Sequence, residues 1–370
     1  MTGKVCVGER LTPVAERIVR FIHAGEIDGA GLAVAVGGKQ VFEWYGGRAA
    51  PALPAGPAVL WPLASISKVY TAATVMALVE RGELTLDTRV CTVLPRFRGG
   101  GRDDVTVRHL LTHTSGVIYE SPYMEELLRR QTPLDEIVDE AYEHPLQFAP
   151  GTRIRYSDYG IALAARVAAA VTGRPFPELV RDLVLGPGDL RETFLPPPPE
   201  HYPRVARVRG APAEGSAGAL YNSPYALSLA HPAFGVVASL RDLLRFGLLF
   251  APEGPRRILS EAAVRAMTTD QTGGHLVGAV LDRDEQAPMI WGLGFMVRGA
   301  TDPEGFFGDL FPPGSFGHAG ASGCMLAISP ADGVVVAYVS NRHLNSDQDR
   351  FLHRNAVVLN GVLAALTHRA

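Results

Sequence analysis

The sequence predicts an α/β fold of the α+β type: an antiparallel sheet flanked by helices, with an all-helical subdomain inserted between its two halves. Three observations predict it. Strand-like alternation is concentrated near both ends of the chain, helical periodicity fills the middle, and one early helix is apolar on nearly every face. Strands supplied from both ends must meet in one sheet to be buried. Residues 1–82 and 230–370 are therefore expected to form the sheet domain, and 83–229 the helical subdomain with the rim of the site.

Taken in order, residues 13–26 are amphipathic and read as the first helix. Residues 31–37 and 40–45 read as strands joined through Gly37-Gly38, a pair suited to a tight hairpin. A Pro/Ala/Gly-rich loop over 48–59 leads to the apolar helix, which runs from Ser65 to Arg81 without proline or glycine and stops at Gly82. Residues 104–116 read as a helix capped at Thr106, and 133–142, 159–172 and 177–185 as three more. The polyproline run 195–200 opens an irregular stretch to about Pro224. A connector or an active-site rim would fit this stretch, and the rim is favoured because long loops in compact domains are often functional. Helices with serine caps follow at 239–250 and 260–267, strands at 291–298, 317–328 and 333–340, and a last helix at 351–366.

Composition narrows the function. Hydrophobic content of 47% with 20% charged residues describes a soluble globular protein. A net charge of −3 and the lack of any basic block exclude a nucleic-acid surface. No stretch approaches the ~20 apolar residues of a membrane span, and residues 1–10 carry no secretory signal, so a cytoplasmic location is expected. Cys6, Cys91 and Cys324 are too scattered for a disulfide framework or a zinc site. His109 and His113 are four residues apart but lack a third ligand, and they read as structural. No metal and no cofactor are expected.

Ser65 and Lys68 lie one helical turn apart where the apolar helix begins. That spacing lets a lysine amine take the proton of a nucleophilic serine. A serine cap beside a snorkelling lysine would leave the same residues. Lysine usage bears on the choice: of 35 basic side chains only Lys4, Lys39 and Lys68 are lysines. Arginine cannot give up its proton near neutral pH, whereas a desolvated lysine can.

Further stretches extend this pair into a pattern: Val107–Gly116 (VRHLLTHTSG), Tyr156-Ser-Asp158 and Phe316-Gly-His-Ala-Gly320. With Ser65-Ile-Ser-Lys68, their order and spacing resemble the serine β-lactamase and penicillin-binding-protein superfamily. The similar branch holds class C β-lactamases, D-alanyl carboxypeptidases and the β-lactamase-like (family VIII) carboxylesterases. The resemblance implies a β-lactamase/transpeptidase-like fold, Ser65 as acyl-accepting nucleophile, Lys68 as its partner amine and Tyr156 as the tyrosine that shares the general-base role. It further implies an oxyanion hole from the backbone N–H groups of Ser65 and Ala321, and substrate contacts from Asp158 and from His318, Ala319 and Gly320, the last three on an edge strand that walls the site.

Two departures from the family pattern matter. Asp158 replaces an asparagine, and either holds Lys68 protonated or caps the helix that follows. His318-Ala319-Gly320 replaces Lys-Thr-Gly, which removes a cation and a hydroxyl suited to a substrate carboxylate. Arg342 is the one nearby residue named as a replacement anion site. The expected function is a serine hydrolase acting through an acyl-enzyme, a carboxylesterase on short-chain neutral esters that also has scope for acyl transfer. The alternatives are a D-aminoacyl peptidase, a D-Ala-D-Ala carboxypeptidase or β-lactamase, and a non-catalytic penicillin-binding or scaffold relative. The expected partner is a small acyl substrate, with no nucleic acid and no membrane.

Overall fold

The computed structural model describes residues 8–210, 222–255, 257–274, 276–280, 287–303 and 305–367. Lys4, Cys6 and the central part of the stretch leading to Pro224 lie outside them. The elements that position the site are α1 (Thr12–His23), β1 (Gly29–Val36), β2 (Lys39–Ala50), β3 (Leu53–Pro54), α2 (Ser67–Glu80), α3 (Leu134–Glu143), α4 (Asp158–Thr172), α5 (Leu240–Leu248), β4 (Met296–Val297), β5 (Phe316–Gly320), β6 (Cys324–Ser329), β7 (Val334–Ser340) and α6 (Gln348–Thr367).

Among the described residues, seven strands form one sheet in the order β4-β5-β6-β7-β1-β2-β3, with every neighbouring pair antiparallel. Its centre joins the two ends of the chain: β1 pairs with β7 from Ala30↔Ser340 to Val36↔Val334. These two strands read as nearly continuous apolar runs because both faces of the sheet are covered. Alternation still sorts the side chains. Val335, Ala337 and Val339 enter the core shared with α2, α4 and α5, while Val334, Val336 and Tyr338 enter the core under α1 and α6.

On the first face α5 packs across β7, β1 and β6, and Gly247 allows the close approach. A Cβ there would lie 2.8 Å from both Leu326 and Val335 side chains. Behind α5 lies α2, whose residues 67–78 are all buried. Tyr70 of α2 stacks on Phe246 of α5 with ring centroids 3.6 Å apart. The other side of α2 packs on α4, so the apolar helix is enclosed, as a helix without a polar face must be.

Three expectations need correction. The helix read over 104–116 is only Val107–Leu111, because the chain then turns through His113 at φ 58° and Gly116 at φ 77°. The strand read over 317–328 is the hairpin β5–β6, broken at Gly323 with φ 106°. Of the strand read over 291–298, β4 keeps two residues.

Candidate active site

Ser65 stands in the single 3₁₀ turn Ala64–Ile66 that leads into α2. Ala64 has φ 46°, a left-handed conformation that costs a residue with a Cβ about 1–2 kcal/mol. The bend turns Ser65 towards a cavity of about 780 Å³ while Ile66 goes into the core. One turn along α2, the fully buried Lys68 donates through Nζ to Ser65 Oγ at 3.1 Å.

Lys68 has two further partners: the Ala233 carbonyl at 3.0 Å and Asp158 Oδ1 at 2.7 Å. The ammonium thus donates to two oxygens and is paired by charge with a third. Burial alone would drive its pKa down, but the charges of Asp158 and Tyr156 outweigh burial and hold it above that of an ordinary lysine. Asp158 opens α4, yet it is not the cap. Ser157 Oγ accepts from Gly160 N–H at 2.8 Å, which leaves the Asp158 carboxylate free to face Lys68.

Tyr156, just before that cap, is 7% exposed and lies over Lys68, whose Nζ is 4.6 Å from the ring centroid. His113 packs on it at 4.5 Å between centroids, and Trp291, His318 and Tyr119 stand about 6 Å away. Burial raises the phenol's pKa and Asp158 adds to the rise, while Lys68 and Ser65 oppose it. Three buried histidines, His113, His231 and His318, complete the surroundings. Burial first, and then the charge of Lys68, keeps each neutral: His231 and His318 fall to about 3 and His113 well below its usual value. The lysine is thus the only cation in this group.

The opposite wall is β5. His318 Nδ1 lies 2.7 Å from the Ala319 carbonyl. A carbonyl can only accept, so the proton is on Nδ1 and Nε2 is a buried acceptor without a partner among the described residues. Among the described residues β4 pairs only with Gly317 and Phe316, so no strand covers the outer edge of His318–Gly320 there. Ser65, Tyr156, Asp158, His318, Ala319 and Ala321 all line the cavity. Gly320 does not; a Cβ on it would be 2.2 Å from the Leu63 carbonyl, so its bareness lets β5 press against the Ser65 turn. Arg342 is not among the lining residues, whereas Arg155 is.

The family profile described as Beta-lactamase matches residues 14–359. The chain belongs to the β-lactamase family. It is similar to penicillin-binding protein 4 of Amycolatopsis lactamdurans, at 32% identity over 295 residues, covering 75% of this chain and 71% of that protein. It is also 32% identical over 276 residues to esterase EstB of Burkholderia gladioli, covering 66% of this chain and 68% of that one. A penicillin-binding protein homolog from Caulobacter crescentus shares the fold, with TM-score 0.77, 24% identity and coverage of 98% and 99%. The chain is accordingly a hydrolase of the β-lactamase/esterase family, and no helix among its described residues is long and apolar enough to cross a membrane.

Several neighbours of this β-lactamase-family site carry no motif in the sequence. Ala233 contributes a carbonyl, which any residue could supply. His231 is held by the Ala233 N–H at 3.1 Å; His113, which belongs to the Val107–Gly116 stretch read above, is held by the Ser157 N–H at 3.1 Å. The structural reading of His109 fits its place: its ring closes a capping box with Thr106.

Proposed function

We propose that the chain is a serine hydrolase working through an acyl-enzyme, with carboxylesterase activity on short-chain neutral esters. The observation that carries this reading is the Lys68 ammonium, with Ser65 Oγ at 3.1 Å and Asp158 at 2.7 Å, beside a wall that offers His318 and Ala319 to the substrate. In this reading Ser65 Oγ attacks the ester carbonyl carbon. Its proton passes to Tyr156 Oη, which in the reactive form is a phenolate. Lys68, held beside Asp158, stays an ammonium and stabilises that phenolate. The backbone N–H groups of Ser65 and Ala321 take the charge that develops on the carbonyl oxygen. The phenol then protonates the departing alkoxide, and water repeats the sequence to release the acid and restore the serine hydroxyl. An alcohol in place of water would give acyl transfer.

Asp158 sets the pH at which this cluster loses its proton. Its charge raises the pKa of both Tyr156 and Lys68. Asp158→Asn removes that charge, so the acid limb of the kcat/KM–pH profile should move to lower pH. A limb that stays in place would mean the carboxylate does not govern the titrating group.

The substrate class is tested with purified protein on an aryl acetate, a chromogenic cephalosporin and D-alanyl peptides. A carboxylate entering a partly dry site needs a cation and donors to offset its desolvation. His318 is neutral and Ala319 has no hydroxyl, so the acetate should be preferred by at least about tenfold in kcat/KM. Equal hydrolysis of the cephalosporin would sink the ester reading. It would favour the amide alternative, which the likeness to a penicillin-binding protein keeps in view.

A further inference from the structure

We infer that, among acyl groups longer than the short neutral ones proposed above, the cavity favours those carrying an ammonium group at the end of an apolar chain, with the Glu120 carboxylate as counter-ion; this rests on the acyl-enzyme reading above. The segment bearing Glu120 is fixed against the start of α4. Ser157 Oγ donates to the Ile118 carbonyl at 2.6 Å, and the amides of Asp158 and Tyr159 donate to the Tyr119 carbonyl at 3.0 and 3.2 Å. Glu120 is thereby held on the cavity wall beside Tyr156 and Asp158.

Its carboxylate has no hydrogen bond or ion pair among the described residues. A half-buried carboxylate without a partner is costly, and burial, with Asp158 adding to it and Lys68 opposing, pushes its pKa up to about 7. Among the described residues no cation pairs with it. Lys68 is already shared among Ser65, Ala233 and Asp158. Arg155 lines the same cavity but forms no ion pair with Glu120, and the lining histidines His318 and His343 are neutral, at about 3 and about 4. An ammonium from the substrate would be the missing partner.

The rest of the wall suits such a group. The rings of Tyr119 and Tyr156, with centroids 6.1 Å apart, offer π faces that attract cations. Across the cavity His318 Nε2 is one more acceptor without a donor. Met124, Leu128, Ala226, Leu227 and Phe306 also line the cavity and offer apolar surface to a methylene chain.

The test uses three aryl esters of nearly equal shape, ω-aminohexanoyl, heptanoyl and pimeloyl, on wild type and Glu120→Gln. The readout is the ratio of kcat/KM values, in which any effect common to all three cancels. In the wild type the ammonium ester should exceed its neutral counterpart, and the carboxylate ester should be the poorest. Glu120→Gln should lower the ammonium-to-neutral ratio by about tenfold or more and improve the carboxylate ester. A ratio that Glu120→Gln leaves unchanged, or a wild type that prefers the carboxylate ester, overturns the inference while leaving the esterase reading intact. Failure to cleave all three esters, with Ser65 unlabelled by a phosphonate, would strike down the acyl-enzyme reading and this inference with it.

Discussion

Ser65→Ala should reduce kcat on the best ester by on the order of a millionfold while the protein stays folded. The change removes one oxygen from a half-buried position on the cavity wall, so packing has little to lose. In the proposed mechanism it removes the atom that forms the acyl bond. An active-site-directed phosphonate should label the wild type at Ser65 and leave the alanine variant unlabelled. Ser322 also lines the cavity, and Ser115 and Ser157 are buried close to it in the fold. A label found on any of these by mass spectrometry would overturn the assignment.

Lys68→Arg should be almost as damaging, with a loss of at least about a thousandfold in kcat. The site holds a compact ammonium that donates to Ser65 Oγ and the Ala233 carbonyl and pairs by charge with Asp158. A planar guanidinium spreads its donors in a fork and cannot converge on three oxygens set around a point. It is also larger, in a position with no exposed surface. Tyr156→Phe should show a comparable loss through the proton transfer, with Lys68 still paired to Asp158. Near wild-type turnover in Lys68→Arg would reduce the lysine to a charge with no directional role.

The elements that sequence pattern revealed were those set by long apolar runs or by caps. The buried α2, the Gly37-Gly38 hairpin and the helices behind Ser239 and Ser260 all belong to this kind. Where the chain changes direction inside an apolar stretch, as at His113 or Gly323, periodicity continues across the break and hides it. The site shows the same division. Ser65 and Lys68 could be read together because one helical turn fixes their separation. Asp158 had two readings until Ser157 was seen to take the cap, which frees the carboxylate for Lys68. The Ala233 carbonyl and Glu120 could not be read from sequence: a backbone acceptor has no residue signature, and an unpaired carboxylate becomes evident only once its surroundings are known.

The pairing of β1 with β7 also governs when this chemistry can begin. Ser65 and Lys68 are made early in synthesis, but the wall bearing His318 and Ala321 is made late and is held in place only when β7 closes on β1. Closing so long a loop is entropically costly and kinetically slow, and it follows the local folding of the helices. In the proposed mechanism a nascent chain therefore carries Ser65 without the Ala321 N–H and the β5 wall, and it is expected to be silent on the ribosome. Turnover becomes a report of completed assembly, since no partly made chain can bring both halves of the site together.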